Sequence, residues 1–259
     1  MSVRYESQGA TALVTFDRPA ARNAMTWEMY QELYDACERI DADDTIRVAV
    51  LRGAGGKAFV AGTDIGQFRE FRTGAEGGAD GAAYEQRISE IIDRLEAVKV
   101  PTVAVVDGYA VGGGLVIAAA CDIRIATPSA RFGLPIARTL GNCVSARTCA
   151  LLVSLIGPAR ALELIYTAEF VGAERAAEIG LANEVVAPER LDTRLRELCE
   201  RLSAHAPLTM WAAKETIRRL RADTLPEDDD IIRACYGSAD FREGIAAFID
   251  KRTPKWTGR

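Results

Sequence analysis

The chain has 259 residues, 49% of them apolar and 27% charged, the makeup of a globular protein with a sizeable core. Its net charge of −5, with no basic run, argues against nucleic acid as the main partner. One histidine and six scattered cysteines leave no ligand set for a metal, and they suit reduced thiols in a cytoplasmic protein.

Taken in chain order, residues 12–16 (ALVTF) read as a strand, and Thr26 is placed to cap a helix. The apolar positions of that helix, Met29, Leu33, Ala36, Cys37 and Ile40, recur at helical spacing. Residues 48–51 (VAVL) read as a buried strand. Residues 72–83 (RTGAEGGADGAA) are rich in glycine and read as a mobile loop, either an inert insertion or a lid. Ile88, Ile91, Ile92, Leu95 and Val98 form a second helical stripe that Pro101 stops. Strands follow at 102–106 and 123–126, with a helix led by Gly112-Gly113-Gly114 between them. The apolar run 103–121 contains Asp107 and the three glycines, so it reads as a buried strand, turn and helix rather than a membrane span. Beyond Ser145 the pattern is mainly helical, broken at Gly157-Pro158 and at Gly180, with a short strand in 181–186. Helices are expected at 188–204, 207–220 and 240–250, and Asp228-Asp229-Asp230 reads as a solvated helix start. Apolar strands alternating with helices imply a largely parallel, helix-covered sheet. No internal repeat is visible in the sequence.

Two glycine-bearing turns carry the chemical signal: KAFVAGTDIGQF (57–68) and the triple glycine at 112–114. Each leads into a helix start, where unpaired backbone N–H groups and partial positive charge gather. Facing one another, they would form an oxyanion hole. The same glycines also suit close packing of helix on strand. The spacing fits neither the G-x-G-x-x-G of a dinucleotide site nor a Gly-Lys-Ser/Thr phosphate loop, and His205, in the helical tail, is the only histidine a hydrolase could use.

The segments FVAGTDI (59–65) and GYAVGGGLVIAAACDIRIA (108–126) resemble the two signature segments of the crotonase (enoyl-CoA hydratase/isomerase) superfamily. RPAARNAM (18–25), RFGLP (131–135), GLANEVV (180–186) and EGIAAFIDKRTPKWTGR (243–259) follow in the family's order, so the resemblance spans nearly the whole chain. It implies an α/β fold: a crotonase-type ββα spiral core over 1–200 and a C-terminal α-helical trimerisation region over 201–259, assembled as a trimer or a dimer of trimers. It implies acyl-CoA thioester substrates, coenzyme A entering as part of the substrate and no cofactor held permanently. Carried over by position, the oxyanion donors are the backbone N–H groups of Thr63 and Gly113. Asn23, Ala24, Ala61, Asp64 and Ile65 fall where the family contacts coenzyme A, and Lys251 and Arg252 resemble residues that reach its phosphates.

The chain departs from the family's hydratases at the two positions where they carry glutamate, which are Val116 and Ile136 here. A positioned acid or base contributes ~10²–10⁴-fold in rate. The resemblance therefore implies an acyl-CoA enzyme that stabilises a thioester enolate yet hydrates crotonyl-CoA poorly. The alternative is a catalytically silent acyl-CoA binder, acting as a sensor or structural subunit. Replacement chemistry is sought in RTLGNCVS (138–145), where Cys143 could serve as a nucleophile or simply pack, and Arg138 could pair with a substrate carboxylate or form a structural ion pair. Asp64, Glu70 and Tyr109 are further candidates for handling a proton.

Overall fold

The computed structural model describes residues 2–223 and 225–258. Strands β1 (Val3–Gln8) and β2 (Thr11–Phe16) form an antiparallel hairpin. Helix α1 (Trp27–Ala42) begins where expected, with the Thr26 hydroxyl accepting from Met29 N–H at 3.3 Å. All five residues of its predicted stripe are buried. Each large apolar side chain among them contributes about 1.5–3 kcal/mol relative to exposure.

A repeat that the sequence hides is plain in three dimensions. A longer strand, a short strand and a helix recur: β3 (Val48–Gly53), β4 (Ala58–Val60) and α2 (Gly74–Glu96); β5 (Thr102–Val106), β6 (Tyr109–Val111) and α3 (Gly113–Ala120); β7 (Ile123–Ala126), β8 (Arg131–Gly133) and α4 (Ile136–Thr139). The longer strands join one six-stranded sheet and the short ones a second sheet of four. Helix α5 (Ala146–Thr167), β9 (Val171–Gly172), α6 (Ala173–Glu178), β10 (Glu184–Val185) and α7 (Pro188–Ala204) follow. The order of the large sheet is β1-β2-β3-β5-β7-β10, parallel throughout except for β1 on β2, and that of the small sheet is β4-β6-β8-β9. This mixed α/β architecture is the fold that the resemblance implied.

Alternation along β3 and β5 gives the large sheet two apolar faces. Ala49, Leu51, Ala104 and Val106 face the main core with α1, α2 and α3, whereas Val48, Val50, Val103 and Val105 meet Leu191, Leu198 and Cys199 of α7. Residue 200, the expected division, thus lies inside a helix that belongs to the sheet. Helix α5 is interrupted at Gly157 (φ 77°), just before Pro158, as the sequence indicated. Helix α8 (Pro207–Ala222) has no buried residue, and α9 (Asp229–Tyr236) and α10 (Ala239–Ile249) fold back over α2 and α4. Asp228 is more than a solvated start, because its carboxylate accepts from Ala146 N–H and ties α9 to the start of α5.

The predicted loop at 72–83 is wrong: from Gly74 onward it is the first part of α2. Two of its glycines, Gly78 and Gly81, serve contact with α9. A Cβ on Gly78 would lie 2.6 Å from the Arg233 carbonyl oxygen, and one on Gly81 would lie 2.1 Å from Cβ and Cγ of Tyr236. The segment is a seam along which α9 approaches α2 more closely than any side chain allows.

Candidate active site

A cavity of about 340 Å³ opens between the two glycine turns. Ala61, Gly62, Thr63, Val111, Gly112 and Gly113 supply its backbone wall. At the first turn, Met25 N–H donates to Gly62 O and Asp64 N–H to Met25 O, both at 2.8 Å. The pairing leaves Thr63 N–H directed away from that bridge, without an acceptor among the described residues. Behind it, Thr63 Oγ1 shares hydrogen bonds with Tyr30 Oη (2.8 Å) and Tyr84 Oη (3.1 Å). Burial pushes the Tyr30 phenol up to about 12 and Tyr84 well above the ordinary range, so both remain neutral anchors.

At the second turn, Gly112 takes φ 54° and ψ −123°, a conformation open to glycine alone, and its N–H donates to Gly133 O at 3.0 Å. Gly113 then begins α3, and its N–H also lacks an acceptor among the described residues. A Cβ on Gly114 would sit 2.0 Å from Val60 O, so α3 lies almost on β4. The triple glycine therefore packs helix against strand, and it also leaves Gly113 on the cavity lining with an N–H that no described residue accepts. Two unpaired N–H groups on one cavity are what a developing oxyanion requires.

The other expected residues divide. Ala24, Ala61, Ile65, Val116 and Ile136 line the cavity. Asn23 does not: its Nδ2 donates to Ala54 O (3.0 Å) and Ala58 O (2.8 Å), its Oδ1 accepts from Arg18 N–H, and it is fully buried in the turn it holds. Asp64 caps the 3-10 helix Ile65–Glu70 through Gly66 N–H (3.0 Å) and pairs with Arg18 at 2.7 Å. Arg252 is held by Glu243, and exposed Lys251 lies beside it, away from the cavity wall. Arg138 and Glu70 are exposed and outside the cavity lining, and Tyr109 packs edge-on against Phe170. Cys143 also lies outside the lining. Its contact with Cys235, then burial, pushes its thiol pKa up, away from the thiolate a nucleophile needs.

Sequence reasoning missed the one carboxyl that does line the cavity, Glu85 on α2. It is 4% exposed, with Oε1 accepting from Tyr236 O–H at 2.6 Å and Oε2 from Ser145 N–H at 3.1 Å. Burial, opposed by those two hydrogen bonds, raises its pKa to about 7, and no basic side chain pairs with it among the described residues. Asn142 Nδ2 donates to Tyr236 Oη at 3.2 Å, while its buried Oδ1 has no partner among the described residues. A signal for Glu85 did exist. Gly78, Gly81, Glu85, Ile88, Ile92 and Leu95 follow one 3-4-3-4-3 spacing, so the carboxyl stands in phase with the buried stripe.

The family model for Enoyl-CoA hydratase/isomerase matches residues 6–259. The short-chain-enoyl-CoA hydratase of Clostridium acetobutylicum is 34% identical over 255 residues, covering 97% of this chain and 95% of that protein. The (E)-benzylidenesuccinyl-CoA hydratase of Thauera aromatica is 34% identical over 264 residues, with full coverage of both. Among solved structures, a methylmalonyl-CoA decarboxylase in complex with 2-nitronate-propionyl-CoA superposes with a TM-score of 0.90 at 27% identity, covering 100% of this chain and 99% of that one. An enoyl-CoA hydratase/carnithine racemase from Magnetospirillum magneticum gives 0.80 at 35% identity, covering 100% and 96%. With two glycine turns framing one cavity and a match along nearly its whole length, the chain belongs to the enoyl-CoA hydratase/isomerase family of the crotonase superfamily, which processes acyl-CoA thioesters.

Proposed function

We propose that the protein is an acyl-CoA enzyme that holds a thioester enolate oxygen between Thr63 N–H and Gly113 N–H and hydrates crotonyl-CoA poorly. The observation that carries this reading is the pair of unpaired donors on a cavity also lined by Val116 and Ile136, which stand at the resemblance's glutamate positions. Coenzyme A is part of the substrate in this reading. The similar decarboxylase, in its own structure, holds a propionyl-CoA analogue, in keeping with a thioester site.

The second reading, a silent acyl-CoA binder, calls for a cavity without proton-handling groups. Thr139, Asn142, Thr148 and Glu85 among the lining residues favour the enzyme. Self-association belongs to the same proposal. Leu208, Trp211, Ile217 and Leu220 of α8 are 42–76% exposed, and Leu162 and Tyr166 of α5 add further apolar surface of the kind a trimer or dimer of trimers covers. Steady-state assay of crotonyl-CoA hydration, beside calorimetric titration with butanoyl-CoA, tests the functional reading. Binding with hydration far below that of a family hydratase supports it; failure to bind the ester, or brisk hydration, refutes it.

A further inference from the structure

The reading above counts Glu85 only among the polar lining groups and gives it no chemical step, yet it is the carboxyl group on the cavity that Thr63 and Gly113 also line. Its neighbour Tyr84 touches the threonine whose backbone supplies one of the two N–H donors. The two hydrogen bonds to its carboxylate occupy one lone pair on each oxygen and leave the others free. The groups around it are the hydroxyls of Tyr30 on α1, Tyr84 and Ser89 on α2, Tyr236 on α9 and Ser145 and Thr148 at the start of α5, with the Asn142 amide and the thiols of Cys143 and Cys149. Asp228 is the one charged group that acts on it, and it acts as an anion. Nothing there neutralises Glu85, so its protonation can follow the chemistry in the cavity.

We propose that Glu85 is the catalytic acid–base group of this site, shuttling a proton between carbons next to the thioester and so moving a double bond along an acyl-CoA. This rests on the oxyanion reading of Thr63 and Gly113. In the first half, the Cα–H bond of a 3-enoyl thioester breaks and the proton forms an O–H bond with the Glu85 carboxylate. The released pair makes the bond from Cα to the carbonyl carbon double, and the carbonyl π pair moves onto the oxygen between the two N–H groups. In the second half, the oxygen pair returns, the Cα=C bond re-forms toward Cβ, and the Cβ=Cγ pair takes the proton back from Glu85 at Cγ. Carboxylate, N–H donors and coenzyme A end unchanged, and no water or other reactant is consumed. The apolar lining from Ile88, Val116, Ile136, Leu140 and Val144 suits a hydrocarbon acyl chain. The carboxyl comes from α2, outside both glycine turns and apart from Val116 on α3 and Ile136 on α4.

The test is conversion of but-3-enoyl-CoA to crotonyl-CoA by the full chain, followed by absorbance, with deuterium uptake from D₂O read by mass. Wild type should convert the ester and incorporate deuterium, with kcat/KM rising through pH about 7 as the carboxyl ionises. Glu85→Gln should lose ~10²–10⁴-fold in kcat while binding butanoyl-CoA within a few-fold, and Glu85→Asp should recover part of the rate. Tyr236→Phe removes a donor that favours the carboxylate, so it should move the inflection to higher pH, a change that a purely structural Glu85 would not cause. A wild-type protein that binds the ester and moves no proton overturns the proposal, as does Glu85→Gln within tenfold of wild type. Should Glu85→Gln fail to fold, an unmoved inflection in Tyr236→Phe overturns it. Loss of ester binding in wild type would instead sink the acyl-CoA reading. A rate that falls on disabling the Gly113 donor and not in Glu85→Gln would leave the oxyanion hole standing and remove Glu85 alone.

Discussion

The protein has two glycine-rich stretches, and they do opposite things. At Gly112–Gly114 the missing side chains let the backbone turn and leave an N–H without a described acceptor; at Gly78 and Gly81 they let two helices touch. Similar composition thus yields a cavity wall in one place and a structural seam in the other. What separates them is the neighbour: a cavity for the first, and Tyr236 and the Arg233 carbonyl for the second.

The sharpest way to break the contrast is to remove the donor of the first stretch. Gly113→Pro keeps a residue suited to the first helical position but has no N–H. Its Cβ would meet Tyr30 Oη at 2.4 Å, so it is best made with Tyr30→Phe and compared with Tyr30→Phe alone. The double variant should lose ~10²–10³-fold in kcat on its acyl-CoA substrate, with ester affinity little changed. An equal loss in Tyr30→Phe alone would assign the effect to the phenol.

The second test concerns what the seam supports. Glu85 holds its proton up to about pH 7 in the folded protein, against 4.5 for an ordinary glutamate. Between those values the folded state binds more protons than the unfolded one, so its contribution to stability falls as pH rises and levels off above about 7. Urea unfolding across pH 4.5–7.5 should show wild type losing roughly 3 kcal/mol relative to Glu85→Gln over this window. Parallel curves would contradict the buried, unpaired environment of the carboxyl.

Gly81→Ala separates seam from loop by sign. In a mobile loop, or in an uncrowded helix, the change is neutral or stabilising by about 0.4–1 kcal/mol. Against the Tyr236 side chain it should destabilise by about 1–3 kcal/mol in urea unfolding. The smallest effect is expected from Val116→Glu with Ile136→Glu, which should raise crotonyl-CoA hydration by only a fraction of the ~10²–10⁴ that a tuned acid or base supplies. No gain in a folded double variant would count against equating those positions with the hydratase glutamates.

The contrast also explains what could be read in advance. Strands such as β5 and helices such as α1 were legible because their apolar period matches the geometry that buries them. The two turns were legible because backbone donors need glycine and little else. Glu85 was not, because a glutamate just after a glycine-rich stretch looks solvated until α9 closes over it from 151 residues away. Asn23 misled in the other direction: its side chain spends every polar atom on neighbouring backbone, at Arg18, Ala54 and Ala58. Arg138 misled because, with Ala137, it lies on the exposed side of α4 while Ile136 and Leu140 are buried.

The contact between Gly81 and Tyr236 has a consequence for kinship. Tyr236 reaches Glu85 only over a residue without a side chain, one helical turn before it. Among descendants of a common ancestor, glycine, glutamate and tyrosine at these three places should be inherited or lost as a set. A lineage that drops the glutamate frees the other two to drift, and one that keeps it should tolerate neither a bulkier residue at 81 nor the loss of the phenol at 236. Covariation of three positions, each unremarked alone, would mark out the members of the family that share this site.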